Sequence, residues 1–159
     1  MSYTKILVVI FIALLVSAGF NEYARAAEPV TNSGPRISLG QTLFNQYETH
    51  GEIGYEWNRW EAAASIQGTP EEDETTRITS LSRVVKPDWS IGPVNNYYRI
   101  GAARVHNSDL VGDFNFRLGI GLSHKVMSVE YFHYSSAGIY DTNTGIDGVM
   151  IRFNATVFQ

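Results

Sequence analysis

The stretch 114–123 reads FNFRLGIGLS, with a large apolar side chain at every second position. Polar or small residues fill the positions between them. Because successive side chains of a β-strand point to opposite faces, this period of two predicts a strand with one apolar face and one polar or small face. Such a strand lies between an apolar environment and a polar one.

The same alternation recurs along the chain after Pro35, where apolar residues show no sustained helical period. Stretches rich in turn-forming residues separate the alternating segments. The sequence predicts eight strands, at residues 36–46, 50–58, 60–68, 75–85, 94–107, 113–123, 125–135 and 146–158. The chain is therefore predicted to be all-β.

Alternation by itself is typical both of a soluble β-sandwich and of a membrane barrel. The positions that oppose the apolar ones, however, carry charges of both signs, which suits the interior of a small barrel. These charged residues are Glu52, Glu56, Glu61, Glu130, Arg83, Arg117 and Arg152. Trp57 and Trp60 flank a tight turn at 58–59, where an aromatic girdle at a membrane interface would lie. We predict an eight-stranded antiparallel transmembrane β-barrel.

The lengths of the connections agree with a barrel whose two termini lie on the periplasmic side. The outer loops would then be centred near residues 48, 71, 110 and 141. The inner turns would be 58–59, 86–93 and 123–125, and two of these are short, as is usual for outer-membrane barrels. The outer loop at 70–74 is strongly acidic and is interpreted as a solvated loop.

The amino terminus has the features of a secretory signal peptide. Lys5 precedes an apolar run at 6–18, and Ala24-Arg25-Ala26 fits the small-x-small cleavage pattern. The apolar run of about 13 to 15 residues is shorter than the roughly 20 that a spanning helix needs. We expect residues 1–26 to be cleaved and residues 27–159 to form an exported barrel domain in the cell outer membrane.

Composition excludes several classes of function. The chain has no cysteine, so it has neither a thiol nucleophile nor a cysteine-ligated metal. Its formal net charge of -4 gives no electrostatic reason to bind nucleic acid.

The seventh predicted strand carries the residues with catalytic potential. His133 and Ser135 share the face of Met127 and Val129, which is the predicted lipid face. Residues two apart on a strand are separated by about 6.6 to 6.8 Å, a gap that imidazole and hydroxymethyl groups can close. A hairpin centred near residue 141 places Asp147 or Val149 opposite His133, and opposed residues project on the same side.

Ser135, His133 and Asp147 therefore form a candidate nucleophile, base and acid. The turn from Ser136 to Gly138 can supply backbone N–H groups to an oxyanion, and Asn143 can hold that loop or donate a hydrogen bond itself. An isolated His-x-Ser is more often an ordinary polar pair near an interface. The catalytic interpretation is favoured because a carboxylate on a lipid face is costly, so three polar groups that converge there are expected to serve one another.

The region 126–158 resembles the catalytic region of the PagL-type outer-membrane lipid A 3-O-deacylases. The matching residues are His133, Ser135, Gly138, Asn143, Gly145 and Asp147. The resemblance implies an eight-stranded membrane barrel that hydrolyses the ester-linked acyl chain at the 3 position of lipid A, with no metal or organic cofactor. It implies that Ser135, His133 and Asp147 are catalytic, and that Gly138 and Asn143 belong to the oxyanion region. The site would open toward the outer leaflet, where lipopolysaccharide is the substrate.

The chain departs from the family pattern at two positions. The usual acid is glutamate, whereas Asp147 is one methylene shorter and requires a closer approach of the strands. Ser136 stands where the family usually has asparagine, and serine can replace it if only the backbone N–H is used.

Two other functions remain open from sequence. One is a structural or adhesive outer-membrane barrel in which these residues are incidental, and the other is a soluble periplasmic barrel that binds a lipid inside. Detergent dependence distinguishes the soluble barrel, and the mass of lipid A distinguishes the enzyme. The sequence leaves the oligomeric state and the preferred acyl length undetermined.

Overall fold

A computed structural model of the chain describes residues 33–44, 46–68, 75–87, 90–138 and 144–154. The described residues form eight long strands and one two-residue strand. Their bounds are β1 Gly34–Leu43, β2 Thr49–Trp57, β3 Trp60–Gly68, β4 Thr76–Val85, β5 Ser90–Ile91, β6 Val94–His106, β7 Phe114–His124, β8 Met127–Ser135 and β9 Ile146–Asn154. The prediction of eight main strands is confirmed, and the strand ends differ from their predicted positions by no more than three residues, apart from the end of β9 at Asn154. The proposed signal peptide and residues 155–158 of the last predicted strand lie outside the described residues.

The eight long strands close into an antiparallel barrel. Each strand pairs with its neighbours in chain order, β4 pairs with β6, and β1 pairs with β9. Because the sheet closes on itself, the long strands leave no free edge whose backbone groups would face lipid unpaired. Within the described part of the chain, no helix is long and apolar enough to cross a membrane.

The two ends of the barrel differ in their connections, as the sequence predicts. The end that carries the loops after β1, β3, β6 and β8 is called the outer end, and the opposite one the inner end. At the inner end, Asn58 and Arg59 join β2 to β3 with φ angles of 45° and 66°, both in the left-handed region. Such turns match the twist of the paired strands. The predicted turn at 86–93 contains the short strand β5, which pairs with the start of β6.

The outer surface of the barrel is apolar. Each long strand exposes apolar side chains at alternate positions, including Ile37, Ile53, Ile66, Leu81, Ile100, Leu118, Tyr131 and Phe153. Trp57 and Trp60 are directly opposed next to the inner turn and are about 40% exposed. This surface matches the lipid-facing band and aromatic girdle of an outer-membrane barrel.

One charged residue was assigned to the wrong face. Arg83 was predicted to lie in the interior, but it is in phase with the exposed Leu81 and lies on the outer surface. Its guanidinium lies over the Trp60 ring, 5.4 Å from the centroid, and donates a hydrogen bond to the Asn58 carbonyl at 3.1 Å. These two contacts stabilise the Arg83 guanidinium at the rim of the barrel without burying its charge.

The interior of the barrel has two layers. Toward the outer end lies an apolar cluster formed by Ile78, Ala103, Val105, Val111, Phe132, Tyr134, Ile146 and Met150. Below it lies a network of buried charges that contains three arginines and three glutamates, Arg99, Arg117, Arg152, Glu52, Glu61 and Glu130. Side chains therefore fill the barrel, and the described interior is a core rather than a water-filled channel.

Ion pairs hold the charged layer together. Arg152 lies 3.0 Å from Glu52, 2.6 Å from Glu61 and 2.9 Å from Glu130. Glu130 also accepts hydrogen bonds from the Arg99 guanidinium at 3.1 Å and the Tyr97 hydroxyl at 2.8 Å. The predicted interior positions of these glutamates are confirmed. Because the charges balance and each has close partners, the network can exist in a region shielded from water.

Candidate active site

The hairpin of β8 and β9 brings His133 and Asp147 together. The two residues are directly opposed in the antiparallel register. His133 Nδ1 lies 2.8 Å from Asp147 Oδ1, within hydrogen-bond distance. Nδ1 then donates to the carboxylate, which leaves Nε2 of the neutral imidazole as a proton acceptor. Of the two residues that the sequence allowed opposite His133, the structure selects Asp147.

The pair lies on the outer surface near the outer end of the barrel. The side chains of His133 and Asp147 are 31% and 14% exposed. Across β7, His133 is opposed by Leu118, and across β1, Asp147 is opposed by Leu43. Two polar side chains that contact each other thus lie beside apolar neighbours on the outer surface, at the level expected for the outer leaflet.

Ser135 is the last residue of β8 and lies on the same face, two residues beyond His133. It is half-buried, and Phe116 of β7 lies directly opposite it. Its Oγ accepts a hydrogen bond from the backbone N–H of Ala137 at 3.2 Å. Ala137 and Gly138 have φ angles of 52° and 77°, both in the left-handed region, so the chain turns sharply directly after this contact. A backbone donor therefore lies beside the candidate nucleophile.

The residues predicted to support an oxyanion have different placements. The Ser136 side chain is fully buried and lies on the opposite face from Ser135, so its hydroxyl is not exposed to a ligand on the outer surface. Only the backbone N–H of Ser136 is suited to the predicted role. This is the case in which serine can replace the asparagine that the family usually has at this position. Gly138 is exposed, and a Cβ added to it would meet no atom within 4 Å. Asn143 lies outside the described residues.

Gly145 controls the space next to the imidazole. Its φ of 82° is in the left-handed region, and a Cβ at this position would lie 2.9 Å from His133 Cε1. The adjacent Thr144 N–H donates a hydrogen bond to the Leu110 carbonyl at 2.9 Å, which joins the loop before β9 to the loop before β7. A side chain at 145 would therefore displace the ring of His133.

One polar contact was not predicted. The Tyr131 hydroxyl donates a hydrogen bond to Asp147 Oδ1, the same oxygen that contacts His133. The strand register could have indicated this contact. Tyr131 lies two positions before His133 on the same face, so it is diagonal to Asp147 and an aromatic side chain can reach the carboxylate.

Comparisons with known proteins agree with the predicted fold and family. A family model described as lipid A 3-O-deacylase (PagL) matches residues 36–156. The search of curated proteins gives no significant match. Among solved structures, the chain is similar to one described as the crystal structure of the outer membrane enzyme PagL, with 19% sequence identity and a TM-score of 0.50. The similarity covers 74% of this chain and 98% of that one, and it shows that the two share a fold. The predicted fold and family are thus confirmed, and the chain belongs to the lipid A 3-O-deacylase family of ester hydrolases.

Proposed function

We propose that this protein removes the 3-O-acyl chain of lipid A by serine esterase chemistry on the outer surface of its barrel. Ser135 is the nucleophile, His133 the general base and Asp147 the acid that orients the base. The observation that carries the proposal is the 2.8 Å contact between His133 Nδ1 and Asp147 Oδ1 on a lipid-facing surface. A carboxylate is costly there, and its pairing with a histidine beside a serine is the arrangement that ester hydrolysis uses.

The reaction follows from the position of each proton. Nε2 of His133 takes the proton of Ser135 Oγ while Oγ forms a bond to the ester carbon. Backbone N–H groups of the turn at 136–138 stabilise the negative charge on the carbonyl oxygen. His133 then gives its proton to the departing sugar oxygen as the ester bond breaks, which leaves the acyl chain on Ser135.

Deacylation uses the same groups in the same order. A water molecule gives its proton to His133 Nε2 and adds to the acyl carbon, and the bond to Ser135 then breaks. The proton returns to Ser135 Oγ and the fatty acid is released. Asp147 stays ionised throughout, and it holds the imidazole in the required tautomer and stabilises the imidazolium.

The substrate reaches this site from the membrane. Phe116 and Leu118 are about half exposed and lie beside Ser135 and His133, so they form an apolar surface along which an acyl chain can lie. The filled interior offers no equivalent place for a lipid within the described residues. We propose that the signal peptide at 1–26 directs export and that the mature barrel acts in the outer membrane on lipopolysaccharide of the outer leaflet.

Lipid A from cells that express the protein provides the test. The mass of lipid A is expected to fall by one hydroxyacyl chain, and Ser135→Ala is expected to reduce this loss at least about 1,000-fold because the nucleophile is missing. Ser123→Ala removes a serine from the far end of the adjacent strand β7 and is expected to retain activity. Heat-modifiable migration in gels verifies that each variant is folded. Unchanged lipid A with folded wild-type protein would instead support a structural or adhesive barrel, and full activity of Ser135→Ala would exclude the proposed nucleophile.

A further inference from the structure

The carboxylate of Asp147 has two donors on one oxygen. Tyr131 and His133 occupy successive outward positions of β8, and the Tyr131 hydroxyl and His133 Nδ1 both contact Oδ1 of Asp147. Tyr131 is opposed by Val149 and reaches Asp147 diagonally across the β8–β9 pair. The hydroxyl therefore approaches from the inner side of the site, away from Ser135.

This second donor constrains a group that a single bond leaves free to turn. Rotation of a carboxylate about its last torsion is broad and has no sharp staggered minima. Two donors that converge from fixed positions on one strand hold Oδ1 toward the imidazole. The side chains that oppose His133 and Asp147 on the neighbouring strands, Leu118 and Leu43, offer no hydrogen bond in place of the phenol.

The lipid-facing location makes the contact more important. The Asp147 side chain is only 14% exposed, so water replaces few of its hydrogen bonds. An ionised carboxylate in such a place requires donors, and bonds to charged groups are stronger than neutral ones. A membrane-anchoring role would need the ring of Tyr131 at an interface, but it would not need its hydroxyl to point at the acid.

We propose that Tyr131 is a positioning residue, which holds the carboxylate of Asp147 against His133 and so fixes the orientation of the general base. This role rests on the proposed esterase function. Tyr131 acts through Asp147 and does not touch the reacting atoms. The consequence is that the contribution of its hydroxyl depends on the presence of the carboxylate.

The hydroxyl is tested with Tyr131→Phe in purified, detergent-solubilised protein acting on lipid A. We expect kcat to fall about 10-fold, the size of one hydrogen bond to a charged group, with KM unchanged. Tyr55→Phe is the matched control, because Tyr55 of β2 also lies on the outer surface but near the inner end of the barrel, away from the site. It is expected to keep wild-type kcat. Wild-type kcat in folded Tyr131→Phe would overturn the proposal.

A double-mutant cycle separates positioning from a general structural effect. In the Asp147→Asn background, we expect Tyr131→Phe to cause no further loss of the residual activity, because the charged acceptor is already gone. A further 10-fold loss in that background would show that the hydroxyl acts elsewhere and would overturn the proposal. An inactive Ser135→Ala with a fully active Tyr131→Phe excludes the positioning role alone. An active Ser135→Ala excludes the esterase mechanism together with it.

Discussion

Replacement of His133 by asparagine is expected to lower kcat for lipid A deacylation at least about 1,000-fold while leaving the barrel folded. Asparagine can still bond to Asp147 across the hairpin, but it cannot take a proton from Ser135. The imidazole is about a third exposed and lies on the outer surface, so its loss creates no cavity in the core. Deacylation rates measured on purified lipid A in detergent provide the comparison.

His106→Asn is the control for this substitution. His106 is the last residue of β6, at the outer end of the barrel, and its side chain is exposed. It is therefore a histidine on the same outer surface that is not part of the proposed site. We expect it to retain wild-type kcat. If His133→Asn were as active as His106→Asn, the histidine would have no role as a general base.

The second large effect is expected on stability, from Glu130→Gln. Glu130 is fully buried and lies within 3.1 Å of Arg99 and 2.9 Å of Arg152, so its neutralisation leaves an excess of buried positive charge. Removal of one partner from a buried ion-pair network typically costs about 3 to 5 kcal/mol. We expect the free energy of unfolding in lipid vesicles, measured by urea titration, to decrease by this amount.

Asp109→Asn removes a carboxylate from an exposed position in the loop before β7. Its effect on the free energy of unfolding is expected to be within about 0.5 kcal/mol, as for other surface substitutions. If Glu130→Gln changed the free energy of unfolding as little as Asp109→Asn does, the charged layer would not be what stabilises the inner half of the barrel.

The alternation of side chains allowed most of the barrel to be predicted. In β7, the large apolar side chains of FNFRLGIGLS face outward. Arg117, which lies between two of them in sequence, is buried, as the period of two requires. The same rule applied to His50 would have placed it in the interior in phase with Glu52. The structure shows it fully buried, with its ring 4.7 Å from that of Phe132. The strand phase, rather than the residue type, determined which polar groups are inside.

Arg83 shows the opposite error. It was assigned to the interior because it is charged, although the phase of β4 places it outside with Leu81. An arginine at the rim can lie on an aromatic ring, here Trp60, and so tolerates an outward position. Residue type alone therefore misleads at barrel ends, where the lipid face gives way to the interface.

The candidate site was only partly predictable for geometric reasons. Hairpin register narrowed the partner of His133 to two residues, and the structure was needed to choose Asp147. The bond at 2.8 Å also shows how aspartate, despite its shorter side chain, meets the histidine, since the two residues are directly opposed. The Tyr131 hydroxyl is a diagonal contact, which depends on side-chain rotamers that the register does not specify.

The mass of the peptide that contains Ser135 tests the central claim most directly. Purified protein is mixed with lipid A, the reaction is stopped with acid within its first turnover, and the protein is digested. The account predicts that this peptide gains the mass of one hydroxyacyl group, and that Ser135→Ala shows no such gain. Efficient deacylation with the acyl group on another residue, or with no acylated peptide even when the water-dependent step is slowed, would contradict the assignment of Ser135 as the nucleophile.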